Sequence, residues 1–211
     1  VAEEEALARL KARVIVRTGH AYYLDKDRLL VDRIRDRMRV TRARTLAEYA
    51  AQAESDEDEW RALESAVTIN ETYFFRHPDQ YEALRTRILP DLIAARAQEK
   101  TLRVWSIGCS TGAEPYSVAI LLRNLLGTGI SDWRITIVGG DISETALARA
   151  RAGVFGAWAL RTMSEADRTR YFDRVANAWK LKGVYRVMAR FERQNLLDLI
   201  GPSRPYAWSN F

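Results

Sequence analysis

The sequence predicts an α/β protein with a small all-α domain at its amino end, and three observations carry that prediction. Residues 1 to about 66 are poor in glycine and proline and repeat apolar side chains at helical spacing. After residue 68 the pattern turns to strand, helix, strand, helix, the alternation of a parallel sheet covered by helices. The first of these strands runs straight into a loop of small residues, "GCSTG" at 108–112, before the next helix begins.

Each element has its own signal. "EEEALARLKARVIVRTG" carries Leu7, Leu10 and Val14 and meets Gly19, a helix stop. "DKDRLLVDRIRDRMRV" puts Leu30, Ile34 and Met38 on one helical stripe; a strand reading of its second half is weakened by the run Leu29, Leu30, Val31. A third helix follows Thr45 as N-cap, and a fourth follows Ser55, with acids in its first turn. "PDQYEALRTRILPDLIAARAQ" reads as one helix opening at Pro78. "LRVWSI" is a strand, "EPYSVAILLRNLLG" a helix ending near Gly127, and "WRITIVGGDI" a second strand. "SETALARARAG" is a helix capped by Ser143 and stopped by Gly153. The division predicted is a helical domain over 1–68 and an α/β domain over 69–211.

Bulk properties exclude several classes. The hydrophobic share of 47% supplies a core, and the charged share of 29% is ordinary. No apolar run reaches the ~20 residues of a membrane helix. The acidic start is unlike a secretory signal. One cysteine, Cys109, excludes an internal disulfide and fits a reducing compartment. Two histidines far from it give no metal-ligand spacing.

The small-residue loop lies where an open α/β sheet binds a nucleotide-like ligand, at the carboxyl end of its first strand. Gly108 and Gly112 allow a tight turn and close backbone approach. Asp141, ending the second strand, could accept both ribose hydroxyls. The G-x-G-x-x-G dinucleotide pattern is absent, and no Lys-Ser/Thr pair marks a phosphate loop. Glu114 would repel a phosphate and suits a cationic ligand; S-adenosylmethionine, with a sulfonium, an ammonium and a ribose, meets all three features. The plainer reading also stands: two turn glycines and an aspartate that caps a helix.

"TINETYFFRHPDQYEAL", "RVWSIGCSTGAEPYSVAILL", "GGDISETALARARAGVF", "RYF" and "FERQNLLD" occur in this order. By these stretches the chain resembles the chemotaxis receptor methyltransferases, the CheR family. The resemblance implies a helical N-terminal domain and a Rossmann-like, S-adenosylmethionine-dependent domain, here truncated in its C-terminal half. It implies O-methylation of glutamates on cytoplasmic helices of methyl-accepting chemoreceptors, yielding S-adenosylhomocysteine, in the cytoplasm. It places Asn70, Thr72 and Arg76 at the cofactor, Glu114 at the methionine amino group, Asp141 at the ribose, and Asn195 and Leu196 near the adenine. Arg76 would also orient the incoming carboxylate.

Residues 26–44 hold eight cations and three acids. By the resemblance this helix docks on acidic receptor helices, through Arg35, Arg39 and Arg42 if helical spacing aligns them; a solvated face is the alternative. A nucleic-acid patch is disfavoured because the segment lacks aromatics for stacking. Three departures from the family are visible. The loop has one acid where many relatives have two. The stretch between Phe172 and Asn195 has no glycine-rich loop, which reads as the kind that does not grip a receptor tether peptide. The chain stops at "RPYAWSNF", where a further strand is expected. The first strand would then have an open edge, so the chain is a fragment, a homodimer completed by strand exchange, or a non-catalytic cofactor- or receptor-binding module.

Overall fold

A computed structural model describes residues 2–199, which divide into two compact units. One takes in residues 2–69, 142–145 and 193–199; the other takes in 70–141 and 146–192. The predicted strand at "RPYAWSNF" lies outside the described residues.

The first unit is built from α1 (Ala2–Thr18), α2 (Asp27–Thr41), α3 (Leu46–Ser55) and α4 (Glu57–Val67). Glu3, Glu4 and Glu5 complement the amino end of α1, and Gly19 closes it in the left-handed region. Leu10, Val14, Leu30, Ile34, Tyr49, Trp60 and Leu63 form the core, and Met38 packs on its margin. Thr45 caps α3 as predicted, accepting the Glu48 N–H at 3.1 Å. The cap of α4 is Asp56, one residue past the predicted Ser55. Ser55 is the last residue of α3, and its hydroxyl turns back to the carbonyls of Ala51 and Gln52. Asp56 Oδ1 accepts the N–H groups of Asp58 and Glu59 instead.

Two carboxylates are buried among these helices. Glu59 binds Arg37 through both oxygens, at 3.0 and 2.6 Å, and accepts the Tyr49 hydroxyl. Burial and that carboxylate push the Tyr49 hydroxyl well above its ordinary pKa. Glu64 accepts Trp60 Nε1 at 2.9 Å and Arg193 at 2.5 Å.

In the second unit, α5 (Pro78–Ala83) and α6 (Leu89–Ala95) are separated by a π-turn over Leu84–Ile88. The single helix predicted from Pro78 onward is therefore interrupted. Pro90 has no N–H, and its ring would strike the carbonyl four residues back in a regular helix. The wider turn, closed by Leu89 N–H to Leu84 O, absorbs the misfit.

The sheet follows. β1 (Thr101–Ile107) leads into α7 (Ala113–Leu126), then β2 (Arg134–Asp141) and α8 (Glu144–Ala152). β1 and β2 pair in parallel from Thr101↔Arg134 to Ile107↔Gly140. After β3 (Val154–Phe155) and α9 (Glu165–Tyr171) come β4 (Phe172–Val175) and β5 (Ala178–Leu181), a tight antiparallel hairpin. β3, β5 and β4 form a separate small sheet. One turn of helix, α10 (Gly183–Arg186), precedes β6 (Ala189–Arg193). β6 lies beside β2, giving the order β1-β2-β6, so among the described residues β1 has one partner. No strand signal marks the hairpin in the sequence: each strand is four residues long, too short for alternation to show.

Candidate functional site

The loop after β1 is held by the strand beside it. Gly108 and Cys109 both donate their N–H groups to Gly140 O, at 2.8 and 3.0 Å. Gly108, Ser110 and Gly112 all have positive φ, so the chain turns sharply twice within five residues. Ser110 carries the strain of a left-handed non-glycine, and its N–H donates to Asp141 Oδ2 at 2.7 Å, a charge-assisted bond that offsets it. A side chain at Gly112 would have its Cβ 2.9 Å from Ala150 Cβ and 3.0 Å from the Phe191 ring, so the loop is pressed onto α8 and β6. At Gly108 nothing lies within 4 Å of that position; this side of the loop is open.

A strap over residues 70–77 crosses the mouth of the open side. Phe74 anchors it in an aromatic cluster, edge-on to Phe155 at 4.8 Å and Phe172 at 5.0 Å. Phe74 N–H donates to Ala159 O, and its carbonyl accepts from the Thr162 hydroxyl. Phe75 N–H donates to the buried Ser117 hydroxyl on α7. Phe75 and His77 sit at φ 53 and 63, a conformation the flanking bonds have to hold. Arg161 stacks between Tyr73 and Trp158, at 3.5 and 3.8 Å from the ring centres.

Strap, β1 and loop enclose a cavity of about 390 Å³, to which Thr72, Arg76, Tyr81, Ser106, Gly108 and Glu114 contribute. Glu114 Oε1 accepts the Ser106 hydroxyl at 2.7 Å, which orients a carboxylate otherwise exposed. Burial first, and the Glu114 charge second, push the Tyr81 hydroxyl up to about 12, with the Ser117 hydroxyl opposing; Tyr81 stays a neutral donor. Arg76 is exposed, bonded to Glu71 O at 3.2 Å and lying over the Tyr73 ring.

The cavity thus brings together four of the residues expected from the sequence: Thr72, Arg76, Gly108 and Glu114. Gly112 and Asp141 stand behind the loop and shape it; Asn70 begins the strap without lining the cavity. Asn195 and Leu196 belong to the helical unit, where Asn195 Nδ2 donates to Arg17 O at 2.6 Å and Leu196 is half exposed. Arg35 and Arg39 are exposed on α2 beside Asp32 and Asp36. Arg42 is not on their helical face: it is the left-handed C-cap, one residue past α2. Sequence reasoning missed Ser106, Tyr81 and Ser117. Of these only Ser117 left a trace, as the one small polar residue inside the apolar run "YSVAILL".

The donor set fits S-adenosylmethionine. An oriented carboxylate faces an open cavity, a glycine leaves room against the backbone, and Ser110 Oγ is buried with no hydrogen-bond partner among the described residues.

Residues 70–205 match the CheR methyltransferase SAM binding domain, and residues 5–68 match the CheR methyltransferase all-alpha domain. The chain is 36% identical over 137 residues to chemotaxis protein methyltransferase 1 of Pseudomonas aeruginosa, covering 63% of this chain and 50% of the relative. It is 33% identical over 199 residues to chemotaxis protein methyltransferase 2 of the same organism, covering 92% of this chain and 69% of the relative. It is 34% identical over 161 residues to the probable biofilm formation methyltransferase WspC of that species, covering 75% of this chain and 37% of the relative. Against these relatives it spans between 37% and 69% of their length, about half in the case of the first.

Proposed function

The chain belongs to the CheR methyltransferase family, and from that membership we propose that it serves S-adenosylmethionine-dependent O-methylation of glutamate side chains on the cytoplasmic helices of chemoreceptors. S-adenosylmethionine is the cofactor of the domain that residues 70–205 match. The observation that carries the proposal is Glu114, oriented by Ser106 at the wall of a cavity roofed by the Thr72–Arg76 stretch of the strap.

The cofactor, when bound, supplies a methyl group on a positively charged sulfur, an already activated donor. The acceptor glutamate is ionised at neutral pH, with a reference pKa of about 4.3, so no side chain of this site has to remove a proton. The work left to the protein is alignment and the exclusion of water. In this proposal Glu114 takes the ammonium of the cofactor's amino-acid end, and Ser110 Oγ and Asp141 serve its polar groups beside the loop. Arg76 receives the acceptor carboxylate by charge-assisted hydrogen bonds. Asn195 and Leu196 serve the adenine, and Arg35 and Arg39 on the exposed face of α2 dock the receptor. The domain division proposed is 1–68 and 69–211.

The test pairs two measurements on the 211-residue chain. Titration of S-adenosylhomocysteine should show binding, and incubation of the chain with labelled cofactor and a receptor cytoplasmic fragment should give base-labile methyl incorporation. Binding without incorporation makes the chain a non-catalytic module. A folded chain that binds no S-adenosylhomocysteine overturns the site.

A further inference from the structure

Two adjoining cavities of about 740 and 360 Å³ share one wall residue, Val187; the larger also reaches Trp133 and Ile135, at the start of β2. Val187 is 84% exposed, and Val184, one helical turn before it, is 46% exposed. The two aliphatic side chains form a ridge with a depression on each side. Arg123 and Arg170 line the larger depression; Arg151, Arg186 and Arg190 line the smaller. Among the described residues no carboxylate lines either one, though Arg190 is paired with Glu192 at 3.2 Å. Arg123 and Arg170 lie over the rings of Tyr185 and Tyr171, at 5.8 and 5.4 Å, and neither they nor Arg186 has an ion-pair partner among the described residues.

We propose that this groove is a docking surface for an acidic, amphipathic helix of a partner protein, whose apolar stripe would cover Val184 and Val187 while carboxylates on either flank meet the two sets of arginines. Five arginines line the two depressions and one of them, Arg190, is paired with Glu192, so the charge is mainly positive and the partner is acidic. The centre is aliphatic and solvent-facing, whereas a single-stranded nucleic acid needs exposed aromatic faces to stack on; Tyr185 is 8% exposed and Trp133 is half-buried. The surface is separate from the cofactor cavity and does not depend on the proposed activity.

The probe is a labelled synthetic peptide of repeated Leu-Glu-Glu-Leu-Glu-Ala-Glu heptads, titrated into the full chain by fluorescence anisotropy. Three comparisons accompany it: the same peptide with serine for leucine, oligothymidylate, and vesicles containing phosphatidylserine. Val187→Ser should weaken peptide binding roughly tenfold, and Arg170→Glu and Arg186→Glu each roughly tenfold. Val187 and Arg170 are exposed and Arg186 is half-buried; unchanged circular dichroism would show that the fold is kept. The serine peptide should bind more weakly than the leucine peptide. The proposal is overturned if the leucine peptide does not bind, or if its binding ignores all three substitutions. It is also overturned if oligothymidylate or vesicles bind more tightly than the peptide and depend on the same arginines.

Discussion

Replacing Glu114 by glutamine separates the charge of the cavity from its shape. The glutamine amide oxygen can still accept the Ser106 hydroxyl, now 2.7 Å from Glu114 Oε1, so the side chain keeps its place. What is lost is one negative charge facing a ligand ammonium. Two opposite charges about 4 Å apart attract by roughly 4 kcal/mol at an effective dielectric near 20. Desolvation returns most of this, and fully exposed pairs retain only about 0.2–1 kcal/mol. Glu114 is exposed yet already oriented by Ser106, so less side-chain freedom is lost on binding. A net loss of about 1–2 kcal/mol follows, or roughly 5- to 30-fold in affinity. The assay is titration calorimetry with two ligands: S-adenosylhomocysteine, which carries the ammonium, and methylthioadenosine, which lacks the amino-acid end. Glu114→Gln should weaken the first and leave the second unchanged. Equal weakening of both, or of neither, would refute the assignment of Glu114 to the amino group.

Other perturbations test the fold around the site. A methyl group at Gly139 would lie 2.7 Å from the Phe191 ring and 2.9 Å from Cys109 Sγ; Gly139→Ala should cost about 1–3 kcal/mol by urea unfolding. Glu64→Ala leaves Arg193 and Trp60 Nε1 without their buried acceptor and should cost about 3–5 kcal/mol, with Glu64→Gln milder because it keeps an acceptor for the indole. Burial, and secondarily Asp141, push the Cys109 thiol up to about 12. The folded protein should therefore resist iodoacetamide at pH 8 and react once unfolded. Because the folded pKa is the higher one, the unfolded chain releases this proton first as pH rises. Cys109 thus takes stability away between about 9 and about 12, and Cys109→Ala should flatten that decline in a pH series of unfolding midpoints.

The helices of the first unit were legible because their signals are local. Leu30 and Ile34 recur at helical spacing, Gly19 stops α1 and Thr45 caps α3, all within one or two turns of chain. The cap of α4 slipped from Ser55 to Asp56 because both side chains can cap, and α3 runs to Ser55 before it ends. Pro90 was visible, but a π-turn can carry the chain past a proline or a helix can end there, and spacing alone does not choose between them.

The sequence by itself determined the order of strand, loop and helix, the glycines of the turn, and the acids at 114 and 141, since each rests on residue type and near-neighbour spacing. Only the tertiary structure decided which of these meet. The strap reaches the cavity because Phe74 is buried against Phe155 and Phe172, more than eighty residues away in the chain. Asp141 turned out to hold the Ser110 N–H, and the Ser106–Glu114 pair exists only because β1 and α7 fold back on each other across the loop. The same holds for the arginine groove, gathered from α7, α8, α9, α10 and β6 around an exposed valine. Such contacts join residues far apart in the chain, and no local periodicity records them.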